Sequence, residues 1–198
     1  LYAAVNQSAD ISAYIKELTP KGSSFLLVIH NPKFLNHELT LQISLPLPGI
    51  HNVENALHAA AAALLTGVKP HTIQTALENF TPVERRLEIF EQKGVTVVDD
   101  TALNPGSLDA VFQTIASFPY HKLVVINAIR GKRGAAINVA NADTLARHMP
   151  DFLFVTASSE CTQKQDQVTE LEKAAFLHTL NKHKINFDYH DTLESAIH

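Results

Sequence analysis

Two rhythms of apolar and polar residues run along this chain, and one gives way to the other near residues 80–86. In the first part, the compact apolar run at residues 23–29 (SSFLLVI) predicts a buried strand. Leu39, Leu41, Ile43 and Leu45 then alternate with Thr40, Gln42 and Ser44, which predicts a strand with one wet face. Asn31-Pro32-Lys33 marks a turn between the two runs, so they are expected as an antiparallel pair. Residues 53–66 read as an Ala/Leu helix stopped at Gly67, and residues 70–79 as a second helix with Pro70 in its first turn. Upstream, Asp10 to Leu18 is expected as a short helix or an irregular segment.

After Pro82 the pattern becomes an alternation of strands and helices. Leu87 to Phe90 predicts a short strand, Gln92-Lys93-Gly94 a turn, and Val95 to Val98 a buried strand ending in Asp99-Asp100. A helix over 106–117, a strand over 122–129, a helix over 139–148, a strand over 152–156, a helix over 168–181, a strand over 185–189 and the start of a last helix follow. Such alternation calls for a parallel sheet covered on both faces, with the strand C-termini gathered on one edge. Those ends carry Asp99-Asp100, Asn127 to Arg130 and Ala157-Ser158-Ser159, the edge where an open α/β sheet binds ligands. The expected fold class is α/β. A Rossmann-like domain with a mostly parallel sheet would occupy residues 85–198, preceded over residues 1–84 by part of another α/β domain.

Composition narrows the picture by exclusion. The 198 residues are 45% hydrophobic and carry a formal net charge of -4, with no basic stripe for nucleic acid. No apolar run approaches the roughly 20 residues of a membrane span, so a cytoplasmic setting is expected. Lone Cys161 precludes an internal disulfide framework and fits a reducing compartment. The 11 histidines are scattered, none in an H-x-x-x-H pair, so they argue for no metal site. The chain opens on Leu1, has Met149 as its sole methionine and stops inside a helical pattern at His198, so a fragment of a longer protein is expected.

Five places concentrate groups able to do chemistry. Gly49-Ile50-His51-Asn52-Val53-Glu54-Asn55 opens the Ala-rich helix directly after Leu45-Pro46-Leu47-Pro48, which gathers amide donors and acceptors at a positive helix end. Simple asparagine capping is the local alternative. Arg85-Arg86 sits where the pattern changes, and an arginine fork pairs bidentately with phosphate, although a bare pair is also a common solvated face. Val97-Val98-Asp99-Asp100 ends a strand ahead of Asn104-Pro105, where Asn104 or Ser107 would also suit a helix cap. Arg130-Gly131-Lys132-Arg133-Gly134 sets glycines among three cations, as a phosphate or carboxylate loop or a solvated one, with Asn138 beginning the next helix. Ser158 and Ser159 follow a strand end, and face either an acceptor amine or a loop.

The order G-x-H-N-x-x-N-A-L at residues 49–57 resembles the linker of the Mur ligase family, the ATP-dependent amide-forming enzymes of peptidoglycan synthesis. Val83 to Glu88 is similar to the family's V-x-G-R-x-E hinge, with Arg86 and Glu88 matching and Arg85 in place of the commoner Gly. The Arg doublet resembles the branch that adds L-alanine or recycled tripeptide to UDP-N-acetylmuramate, where Gly is usual at the position of Pro82. Asp99 to Pro105 resembles D-D-Y-A-H-N-P, with Thr101 and Leu103 replacing Tyr and His.

The resemblance implies that Asn52 and Asn55 lie at the adenine, that His51 belongs to the same nucleotide site, that Arg86 reaches the nucleotide, and that Asp100, with Asn104 nearby, helps hold it after domain closure. Arg130, Lys132 and Arg133, and Ser158 and Ser159, would serve substrate binding. The Asp-Asn-Pro-Arg motif of diaminopimelate-adding ligases is replaced by Ala157-Ser158-Ser159-Glu160, which disfavours that activity. No G-x-x-x-x-G-K-[ST] loop occurs, so the phosphate loop, the carbamylated Lys and the Mg²⁺ ligands are expected upstream. Residues 1–84 would then be the tail of the ATPase domain. The implied partners are ATP with Mg²⁺, a UDP-sugar or UDP-muramyl-peptide acceptor, and an amino acid or peptide. Two alternatives stand beside this reading: a folylpolyglutamate- or cyanophycin-type ligase, and a nucleotide-binding regulatory module without catalysis.

Overall fold

A computed structural model of the protein describes residues 2–30 and 37–197; the Asn31-Pro32-Lys33 turn lies outside them. The chain forms two compact units, Leu1–Thr101 with Gln113–Phe118, and Ala102–Phe112 with Pro119–His198.

The first unit holds a sheet of β1 (Ala3–Val5), β2 (Ile11–Thr19), β3 (Gly22–Ile29) and β4 (Leu39–Leu45), in that order. β1 runs parallel to β2, and the other pairs are antiparallel. The alternation in β4 is realised as read: Leu41, Ile43 and Leu45 are buried, while Thr40, Gln42 and Ser44 are exposed. Helices α1 (Ile50–Leu65) and α2 (Pro70–Glu78) follow. Val53, Ala56, Leu57, Ala60 and Leu64 recur at helical spacing and form the inner stripe of α1, packed with Phe25, Leu27, Ile29 and Ile43 in one core. Each large side chain in it contributes about 1.5–3 kcal/mol by leaving water.

The segment Asp10 to Leu18, expected as a short helix or irregular, is strand β2 from Ile11 onward instead. A register shift between Ile15 and Glu17 interrupts its period-two pattern, and Ser12 is fully buried among apolar neighbours. Both features hide the strand from a periodicity reading.

β5 (Glu88–Gln92) and β6 (Val95–Asp99) form a separate two-stranded antiparallel hairpin. This corrects the expectation of a buried parallel strand at 95–98, since Val95 is 60% exposed. The cause is local: Lys93 and Gly94 both take positive φ, 52° and 79°, the geometry of a two-residue hairpin turn.

The second unit is built on a parallel sheet of β7 (Val124–Ala128), β8 (Phe152–Thr156) and β9 (Asp188–His190). Helices α4 (Gly134–His148) and α5 (Glu170–Lys182) form the crossovers, and α6 (Leu193–Ile197) ends the fold. Helix α3 (Pro105–Ala116) contributes Leu108 and Phe112 to a core with Leu145, Leu153, Val155, Phe176 and Leu180. The fold is α/β, as expected. Coverage of the sheet is less even than expected, because Val124, Ile126 and Phe152 are exposed. Helix α4 starts five residues earlier than read, because Glu172 caps its first turn from another helix. β9 starts later than read, because the Ile185 N–H closes the end of α5 on the Leu180 carbonyl at 3.1 Å.

Candidate functional site

Helix α1 starts without a side-chain cap, so simple asparagine capping is not what the linker turn does. Gly49 stands at the N-cap with φ 93°, and its carbonyl takes the N–H groups of Asn52 and Val53 at 3.1 and 3.3 Å. Asn52 turns back and donates its side-chain amide to the Pro48 carbonyl at 2.7 Å, which ties the strand end to the helix. A Cβ at Gly49 would run into the Thr114 hydroxyl and the His51 ring. His51 is half-buried, and Asn55, exposed, lies one turn further on the same helical face.

The hinge segment is wound unusually. Arg85 and Leu87 both adopt left-handed backbone, φ 57° and 51°, on either side of Arg86. Such geometry costs non-glycine residues roughly 1–2 kcal/mol each, so it persists only where neighbours enforce it. Acidic side chains and Thr101 do so here. The Leu87 N–H donates to Asp100 Oδ2 at 2.8 Å, and the Arg85 N–H to Glu88 Oε2 at 3.1 Å. The Thr101 N–H and hydroxyl both donate to the Arg85 carbonyl at 3.0 Å. Arg85 Nε reaches Asp99 Oδ2 at 3.4 Å, while Leu87 is buried and Arg86 remains exposed.

Asp100 is where these parts meet electrically. Burial pushes its carboxyl above the ordinary carboxylate range, against the Leu87 N–H and the charges of Arg86 and His51. His51 is pulled below the usual imidazole value by burial, with Asp100 and Glu54 acting in the opposite direction. His51, Arg86 and Asp100 therefore form one coupled cluster in the first unit. A cleft of about 720 Å³ in the same unit is lined by Pro48, Pro82, Val83, Leu87, Glu88 and Phe90 among others. None of His51, Asn52, Asn55, Arg86 and Asp100 lines it.

In the second unit, Asn104 caps α3, its Oδ1 taking the Ser107 N–H at 3.0 Å. Ser158 sits in left-handed backbone with its N–H on Thr156 Oγ1 at 3.0 Å. Ser159 donates its hydroxyl to the Asp191 carbonyl at 3.3 Å, and Glu160 caps α6 through the Leu193 N–H at 2.6 Å. In the cationic loop, Lys132 pairs with Asp166 at 3.0 Å. The Arg133 guanidinium is exposed and has no ion pair among the described residues.

The family described as "Mur ligase, glutamate ligase domain" matches residues 85–198. The chain belongs to the Mur ligase family. The match begins at Arg85, inside the hinge. A UDP-N-acetylmuramate--L-alanine ligase from Caldanaerobacter subterraneus is 30% identical over 123 residues, 62% of this chain and 26% of that protein. A UDP-N-acetylmuramoyl-L-alanyl-D-glutamate--2,6-diaminopimelate ligase from Geobacillus thermodenitrificans is 27% identical over 169 residues, 85% of this chain and 33% of that protein. The chain thus spans about a quarter to a third of the length of these relatives. A folylpolyglutamate synthase from Mycobacterium tuberculosis, solved with ADP and AMPPCP, shares the fold. Its TM-score is 0.72 at 21% identity, over 98% of this chain and 40% of that one.

In this Mur ligase chain, one buried group escaped the sequence reading. Glu172 on α5 takes N–H groups from the cationic loop 38 and 39 residues upstream, besides closing a capping box with Thr169. The local half of that role is visible as Thr169-x-x-Glu172. The long-range half has no sequence signature.

Proposed function

We propose that this chain is part of an ATP-dependent ligase that joins the amine of an amino acid or peptide to the carboxylate of a UDP-N-acetylmuramoyl-type acceptor. The coupling of His51 and Arg86 through Asp100 carries the reading, because it gathers a cation, a carboxylate and an imidazole beside the amide-rich start of α1. Asn52 and Asn55 would meet the adenine, with His51 in the same nucleotide site. Arg86 would pair with phosphate oxygens and Asp100 would hold the hinge against the nucleotide, with Asn104 close by. Arg130, Lys132 and Arg133, with Ser158 and Ser159, would line the acceptor side. Residues 1–84 would belong to the ATPase domain and 85–198 to the C-terminal domain.

ATP suits an exposed arginine flanked by amides. Mg²⁺ finds no group of three or more His, Cys, Asp or Glu among the described residues, so its ligands would come from elsewhere in the protein. Clamping and positioning would supply most of the rate. Among the described residues no helix is long and apolar enough to cross a membrane. The reaction would take place in the cytoplasm, where ATP is available.

The test is phosphate release by the full-length protein with ATP, a UDP-muramoyl acceptor and each amino acid in turn, with a folate acceptor as a separate arm. Release with the UDP-muramoyl acceptor is expected. Release with folate alone would move the chain to the folylpolyglutamate class, and none with any acceptor would leave a nucleotide-binding module.

A further inference from the structure

Strand β4 ends its sheet, so among the described residues one side of it is a free edge. Such an edge is a template for another strand, and charges or prolines along it are the ordinary protection. Residues 39–45 (LTLQISL) contain neither. Helix α2 protects the edge instead. Gln74 donates its side-chain amide to the Gln42 carbonyl at 2.8 Å, and Glu78 Oε1 takes the Ser44 N–H at 3.4 Å. Backbone groups of alternate residues point to opposite sides of a strand, so these bonds place the groups of Thr40, Gln42 and Ser44 on the free side.

The fit is one of spacing. Gln74 and Glu78 stand one turn apart on one face of α2. Four helical residues advance about 6 Å and two strand residues about 6.8 Å, so the two side chains match the groups they hold. His71 Nδ1 lies 3.3 Å from Gln74 Oε1, and that pairing leaves the Gln74 amide to face the strand. The cover is light, however. Helix α2 has 9 residues and buries Ile73, with Leu77 only partly buried against the core.

We propose that the free edge of β4 is a strand-addition surface for β4 of a second copy of this chain, and that α2, through Gln74 and Glu78, is the cap that keeps it closed. The strand itself argues for that occupant. An antiparallel pair centred on Gln42 sets Leu41 opposite Ile43 on the buried face and Thr40 opposite Ser44 on the exposed one. No like charges meet, and the apolar row of one copy continues into the other. That pairing needs the Gln42 carbonyl and the Ser44 N–H, the two groups that α2 holds. Cap and second copy therefore exclude each other.

The experiment uses the full-length protein as wild type and as two uncapped variants, Gln74→Ala/Glu78→Ala and Thr75→Pro. The proline breaks α2 without removing a buried side chain. Thermal melts establish folding, sedimentation velocity over a concentration series reads association, and amide exchange by mass spectrometry reads residues 40–44. Both variants are expected to self-associate about tenfold or more tightly than wild type, and residues 40–44 to gain protection as concentration rises. Adding Gln42→Lys sets like charges opposite each other at the centre of the pair and is expected to restore wild-type sedimentation. Thr75→Pro decides where it folds, and the double variant where it does not. A folded variant that sediments as wild type overturns the proposal. So does association that Gln42→Lys leaves unchanged, or that brings no protection to residues 40–44, because a merely loosened fold would behave that way. Wild type that already pairs, and is separated by Gln42→Lys, overturns the cap.

Discussion

Asp100 shows how one residue joins backbone conformation to charge. Its carboxylate secures the left-handed Leu87 and, with Glu54, works against the burial that lowers the His51 pKa. Asp100→Asn keeps an acceptor for the Leu87 N–H but removes the charge. The His51 pKa, followed by NMR titration of its ring protons, should therefore fall further below the usual imidazole value; no downward movement would uncouple the two residues. The sign for stability follows from the native burial of His51. A folded-state pKa below the unfolded one means the unfolded chain binds more protons, so His51 destabilises the fold progressively as pH drops below the unfolded value of about 6.5. Gly131 makes a second, purely steric case. Gly131→Ala should cost about 1–3 kcal/mol in urea denaturation, because the Asp166 and Gln167 carbonyls that a Cβ would strike belong to backbone and cannot swing away.

At the level of elements, ties between helices carry their own pH signature. Asp109 on α3 accepts from His148 at 2.7 Å and pairs with Arg147 at 3.1 Å, while His148 stacks on Phe112 with ring centroids 4.3 Å apart. The His148 hydrogen bond is the foremost cause of a lowered Asp109 pKa, opposed by slight burial and aided by Arg147. A depressed carboxylate pKa gives stability that is present above about pH 4 and lost as pH falls through the folded value. Asp109→Asn should therefore cost up to about 1 kcal/mol at pH 7, and the cost should shrink steadily as pH is lowered below about 4, read from denaturant midpoints across that range. Elements whose period matched their burial were legible in sequence: β4 by alternation, α1 by its stripe, β8 by its apolar run. The bulged β2 was not, since an extra residue breaks the count. Nor was the start of α4, which depends on a carboxylate brought in by α5.

For the molecule as a whole, the change of hydrophobic grammar near residues 80–86 was legible, while the first compact unit runs on to Thr101 and takes in Gln113–Phe118. The linker turn and the acidic strand end were visible as motifs. The coupling through Asp100 was not, because it depends on the left-handed turns at Arg85 and Leu87, and neither residue type announces such backbone. The whole-protein prediction is kinetic. Arg86→Ala should raise the KM for ATP by about tenfold or more, as loss of a charge-assisted phosphate contact does, and spare the fold, since Arg86 is exposed and makes one backbone bond to Val83. An unchanged KM would remove Arg86 from the nucleotide site.

The hairpin turn at Lys93-Gly94 bears on when this geometry is made. The Asp100–Leu87 clamp joins residues 13 apart in the chain, with the β5–β6 ladder between them. A loop that short loses little entropy on closing, and hairpins form in about 1–10 μs. The hinge backbone is thus expected to take shape early in folding, from its own neighbours, before the slower non-local strand pairings of either unit are complete.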